Sequence, residues 1–243
     1  MGMTDAAPQS IDPQSSASPA TAEAAPPQGD WADRMEQAVL DAAVPRAAAL
    51  GWNAALVRAA CEANGLSLGD QELLFPNGPR DLAALLSRRH DARAMEILAD
   101  TPASSLKIRE RIARSVAARL EAAAETLEAS KRCAGYLALP THADLGLSLA
   151  WESADLLWRW SGDTATDWNH YSKRTILSGI LIPALTMRLF DGHDAAEAFV
   201  SRRIDNVMTF EKWKAGKDFE APLRKATDWL SRLRYGAGGQ AAS

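Results

Sequence analysis

From residue 31 to residue 214, apolar positions recur at three- and four-residue spacing, and no stretch alternates apolar and polar side chains with period two. Such a pattern predicts helices and no sheet. The predicted helices cover 31–50, 54–63, 67–75, 80–100, 106–129, 143–160, 167–190, 194–214 and 221–235. Their ends carry chemical signals. Gly51 stops the first, and Asn53 caps the second, which ends at Asn64-Gly65. Pro76-Asn77-Gly78-Pro79 and Leu137-Ala138-Leu139-Pro140 break the chain. Pro45 and Pro183 fall inside predicted helices, where each removes a backbone donor and predicts a bend.

Two of these helices carry unusual patterns. Residues 176–185 are apolar nearly all round, which predicts a buried helix. Pro183 cannot donate to the carbonyl of Gly179, so a kink is expected near Gly179. That kink either opens an apolar slot for a ligand beside Ile180, Leu181 and Leu185, or bends an ordinary core helix harmlessly. In the last predicted helix Leu223, Ala226, Trp229, Leu230 and Leu233 share one face, with Arg224, Lys225 and Arg232 opposite. Trp with flanking Lys and Arg suits a membrane interface, with Leu223, Trp229, Leu230 and Leu233 inserted. The alternative is an amphipathic helix packed on its own domain.

Composition agrees with an all-α fold class: 47% of the 243 residues are hydrophobic, with Ala, Leu, Arg and Glu prominent. Five of the twelve prolines lie in residues 1–29, which are expected to be disordered. The formal net charge of −4 comes entirely from Asp5, Asp12, Glu23 and Asp30. A neutral body argues against wholesale nucleic-acid binding. Cys61 and Cys133 have no metal or redox spacing and read as buried free thiols in a reducing compartment. The N-terminus resembles neither a secretory signal nor a transit peptide. The longest apolar stretch, 176–190, contains Arg188 and falls short of the ~20 residues that span a bilayer. A cytoplasmic protein, peripheral on the inner face of the cell membrane, is expected.

Residues 158–174, WRWSGDTATDWNHYSKR, concentrate the most chemistry. Aromatics mixed with Arg, Asn and Asp suit a surface that another molecule binds. Asp163, Asp167 and His170 could form an acid/base cluster. The simpler reading has Asp163 or Thr166 capping the helix that opens near Asp167. No H-E-x-x-H or E-x-x-H pair, nucleophile elbow, P-loop or dinucleotide loop occurs, so no metal, no cofactor and no catalysis of its own is expected.

Residues 38–76 resemble the N-terminal domain of TetR-family regulators in the Gly51-Trp52 start of the second helix, the Gly65-Leu66-Ser67 turn and the closing Phe75-Pro76. The resemblance implies a TetR-family-like fold with a helix-turn-helix-like part at 30–100. A helical ligand- and partner-binding part follows at 101–215, then an amphipathic membrane-docking helix at 216–236 and a disordered end at 237–243. The third helix, however, carries Asp70 and Glu72 and no Lys or Arg. DNA affinity rests largely on neutralising phosphates, so no nucleic-acid partner is expected, and a TetR-type transcriptional regulator is the alternative.

Gly162-Asp163, Thr166-Asp167, Asn169, Tyr171 and Lys173-Arg174 also resemble the signature of the Coq-nine family, and the likeness extends over about 35–214. It implies a non-catalytic, homodimeric accessory protein of ubiquinone biosynthesis. Such a protein binds an isoprenoid lipid or quinone intermediate, docks on the membrane surface and assists the di-iron demethoxyubiquinone hydroxylase. The hydroxylase-contact patch would map onto Leu157, Asp167, His170, Tyr171 and Arg174. Members of that family often place Trp where this chain has His170.

Overall fold

The computed structural model describes Gly2 and residues 28–162 and 168–215, with side chains for 31–162 and 171–207. In chain order its helices are α1 (Gln28–Leu50), α2 (Ala54–Ala63), α3 (Leu68–Leu74), α4 (Pro79–Leu98), α5 (Ile108–Glu125), α6 (Leu127–Leu137), α7 (Ala143–Trp160), α8 (Trp168–Phe190) and α9 (His193–Ala215). Short 3-10 turns at Ala103–Ser105 and Pro140–His142 precede α5 and α7. No strand occurs among the described residues, so the all-α expectation holds.

Local chemistry sets the first helices. Asn53 accepts from the amides of Ala55 and Leu56, and Gly51 and Gly65 close α1 and α2 at φ +73° and +69°. Left-handed backbone of this kind favours glycine. In α3 the Ser67 hydroxyl and amide both meet the Asp70 carboxylate, at 2.6 and 2.9 Å. This capping box holds the Asp70 carboxyl below its usual range. Asp70 is therefore a structural cap as well as a negative charge. Gln28 and Gly29, expected to belong to a disordered tail, are helical. Residues 3–27 lie outside the described residues.

Two expectations need correction. The single helix predicted over 106–129 is two helices meeting at Thr126, whose φ of −118° and ψ of +48° leave the helical region. Ser130 Oγ donates to the carbonyl of Ala123 at 2.7 Å, and Thr126 Oγ1 lies 2.8 Å from Nε2 of His90 on α4. The Ser130 bond compensates a carbonyl freed by the break, and the Thr126 contact depends on a neighbouring helix that spacing alone does not reveal. Nor is α8 buried all round. Tyr171, Ile176, Ile182 and Phe190 are exposed, while Leu177, Leu181 and Ala184 are buried on its other side.

Helix α1 packs on α2, α4 and α6, and α4 also packs on α5 and α7. Helices α7, α8 and α9 pack in sequence, with α5 against all three. One core cluster joins Val39, Leu40, Leu56, Leu86 and Cys133; a second joins Val116, Leu157, Leu177, Leu181 and Phe199. Each fully buried Leu contributes about 1.5–3 kcal/mol relative to exposure. Pro45 and Pro183 both lie inside continuous helices. The helix expected over 221–235 lies outside the described residues.

Candidate functional site

Helices α4, α5, α6, α7 and α8 enclose a cavity of about 370 Å³, within the size range of small-molecule sites. Its wall is mostly aliphatic, with Leu86, Leu137, Leu149, Leu181, Leu185 and Leu189 among the lining residues. Leu147 and Ile182 also line it and are 61% and 39% exposed, so they mark its mouth. Of the three residues expected beside a slot, Leu181 and Leu185 line this chamber. Ile180 instead joins the core cluster containing Leu157 and Phe199.

Sequence reasoning missed the polar end of the chamber. Ser87, His90, Arg119, Ser130, Cys133 and Ser153 all line it. Arg119 is 3% exposed. Its Nε is 2.5 Å from Asp91 Oδ1, which Ser153 Oγ also reaches at 2.7 Å, and its Nη2 donates to Ser87 Oγ at 3.2 Å. The Nη1 nitrogen has no hydrogen-bond partner among the described residues. An unpaired buried donor costs about 1–3 kcal/mol. Burial first, then the charges of Arg119 and Arg89, push the His90 imidazole down to about 3, so it is neutral at pH 7. Burial likewise pushes the Cys133 thiol up to about 12.

A signal for this end was present in the sequence. His90 and Asp91 fall on the buried face of α4 with Leu82, Leu86 and Ala94, and Arg119 falls on that of α5 with Ile112 and Val116. Charged residues in apolar-face positions are the informative exceptions to burial patterns.

The 158–174 segment divides in two. Gly162 turns the chain out of α7 at φ +86°, and a Cβ there would meet Arg111 Nη1 at 3.3 Å. Arg111 also holds the Ser161 carbonyl at 3.0 Å. Trp158 Nε1 donates to the Lys173 carbonyl at 3.1 Å, and the Lys173 ammonium lies 5.3 Å from the Trp158 ring centre. These contacts tie the end of α7 to the start of α8. Within the expected partner patch, Leu157 is fully buried and Arg174 is 1% exposed, paired with Asp155 at 2.6 Å. Tyr171 is 58% exposed, its ring 6.1 Å from that of Trp151. Asp163, Thr166 and Asp167 lie outside the described residues, as do the His170 side chain and the whole of Leu223, Trp229, Leu230 and Leu233. Among the described residues no group of three or more His, Cys, Asp or Glu is placed to hold a metal ion, and no helix is long and apolar enough to cross a membrane.

Among the described residues, fold and site together define a helical protein built around an apolar chamber with a buried polar end. The COQ9 family model matches residues 143–211, which span α7, α8 and most of α9. Three similar proteins carry the name "Ubiquinone biosynthesis protein COQ9, mitochondrial". The Rattus norvegicus protein is 24% identical over 186 residues, covering 72% of this chain and 59% of its own. The Xenopus tropicalis protein is 25% identical over 187 residues, covering 73% and 59%. The Homo sapiens protein is 24% identical over 211 residues, covering 81% and 66%. The chain thus spans about 59% of the length of the first two relatives. The likeness to the COQ9 family thus rests on the match over residues 143–211 together with these distant relatives.

Proposed function

We propose that this protein is a non-catalytic lipid-binding accessory of ubiquinone biosynthesis. It takes up an isoprenoid quinone intermediate at a membrane surface and presents it to the di-iron demethoxyubiquinone hydroxylase. The observation that supports this most is the aliphatic chamber of about 370 Å³, which Leu181 and Leu185 line from α8. The names of the relatives supply the pathway. A polyprenyl substrate lies in a bilayer while the enzyme must reach its polar ring, so a peripheral carrier with an apolar chamber eases access without chemistry of its own.

Residues 216–236, expected from the sequence to form an amphipathic helix, dock on the membrane through Leu223, Trp229, Leu230 and Leu233, and the protein works as a homodimer. Helices α1 to α4 keep the order of a TetR-like reader without its phosphate contacts, because α3 has no basic residue. The hydroxylase meets Tyr171, Asp167 and His170, with Arg174 and Leu157 holding that surface from beneath. In cells that depend on this protein, Tyr171→Ala is expected to lower ubiquinone and raise demethoxyubiquinone while the fold survives. Unchanged ubiquinone in that mutant overturns the surface assignment.

A further inference from the structure

We propose that the chamber holds its lipid head inward, with a neutral oxygen acceptor of the head group (a ring carbonyl, phenol or ether oxygen) on Nη1 of Arg119 and the apolar tail leaving past Leu147 and Ile182. This rests on the lipid-binding reading above and adds an orientation and a head-group class to it.

Three observations carry it. Arg119 lines the chamber, is almost fully buried, and has committed Nε to Asp91 and Nη2 to Ser87, leaving Nη1 without a partner among the described residues. A guanidinium only donates, so an oxygen acceptor is what completes it. The second is charge. Among the described residues, the polar groups that line the chamber or pair with its lining are Ser87, His90 and Asp91 from α4, Arg119 from α5, Ser130 and Cys133 from α6, Ser153 from α7 and Thr186 from α8. Among the described residues Arg119 is matched by Asp91, Arg89 behind His90 is matched by Asp41, and the imidazole and thiol are both uncharged at pH 7. A diphosphate or phospholipid head would bring negative charge that no group here balances, and burying it uncompensated is prohibitive. A neutral head accepts the one spare donor and brings no charge.

The third is position along α7. The exposed mouth residue Leu147 lies six residues before Ser153, about 9 Å along the helix, and the buried Leu157 lies one turn beyond it. The polar end is therefore the end nearest the Asp155–Arg174 contact under the expected docking surface. Head-inward binding brings the ring toward the partner side and leaves the tail at the opposite, apolar opening.

The test measures binding to the purified full chain of three probes: ubiquinone-2, geranyl diphosphate, and myrcene, a ringless hydrocarbon of the same tail length. The variant is Arg119→Met with Asp91→Leu, which removes the donor without stranding the buried carboxylate. Arg119→Lys, which keeps a charge on Asp91 but loses the fork, serves if the double variant does not fold. The wild type is expected to prefer ubiquinone-2 to geranyl diphosphate. Either variant should weaken ubiquinone-2 by roughly tenfold or more, the scale of a hydrogen bond from a charged donor, while myrcene binds all forms alike. Undiminished ubiquinone-2 binding by the variants overturns the anchor and leaves the carrier reading standing. Tighter, Arg119-dependent binding of geranyl diphosphate overturns the neutral-head assignment. Failure of the wild type to bind ubiquinone-2 or myrcene overturns both.

Discussion

Arg174 and Asp155 form an ion pair across the α7–α8 contact, with Nε 2.6 Å from Oδ1 and the guanidinium almost fully buried. The second carboxylate oxygen holds Arg159, one turn along α7, at 2.7 Å. The pair thus links a residue of the family-like signature to the helix that lines the chamber. Truncating a buried partner leaves the other charge stranded, at a cost of about 3–5 kcal/mol in fully buried cases. Asp155 keeps some solvent and keeps Arg159, so Arg174→Ala is expected to lower stability by about 2–3 kcal/mol. Arg174→Lys should recover part of it. Urea unfolding midpoints check this; an Arg174→Ala protein as stable as wild type contradicts the structural role. The same reasoning makes Tyr171→Ala the cleaner probe of partner contact, because that side chain is exposed.

The neutral His90 makes stability depend on acid. Its folded pKa of about 3 lies below the ordinary 6.5, so between those values the unfolded chain binds more protons than the folded one. Its contribution is fully present above pH 6.5 and is lost as pH falls from 6.5 toward 3, at up to about 1.4 kcal/mol per pH unit. The groups facing it are Arg119 and Arg89, which disfavour its protonation, and Thr126, its hydrogen-bond partner. His90→Gln should keep a polar contact to Thr126 and flatten this slope. Identical acid-unfolding profiles for wild type and His90→Gln would rule the assignment out.

Much of the helical frame was legible because local chemistry determines it. Asn53, Gly51 and the Ser67–Asp70 box mark their helix ends by side-chain and backbone requirements that need no tertiary partner. The break at Thr126 was not legible, because its stabilising contact comes from His90 on another helix. The chamber was half legible: Leu181 and Leu185 stood out on an apolar helix, but five helices meet there. The Arg119–Asp91 pair joins residues 28 apart in sequence, and single-helix patterns flag each charge as misplaced without matching them. Signature residues such as Gly162 and Arg174 looked like surface chemistry and turn out to shape the backbone and the helix contact.

A prenylated lipid in the chamber is the central requirement of the proposed function. Ala134 lines it from α6, and Ala134→Phe would occupy part of its volume. The direct measurement is mass spectrometry of lipids that co-purify with the wild type and with Ala134→Phe from a ubiquinone-producing host. The expected result is a prenylated quinone or phenol intermediate enriched on the wild type and strongly depleted on the equally folded variant. Absence of prenylated lipid from the wild type, or equal loading of both proteins, contradicts the claim.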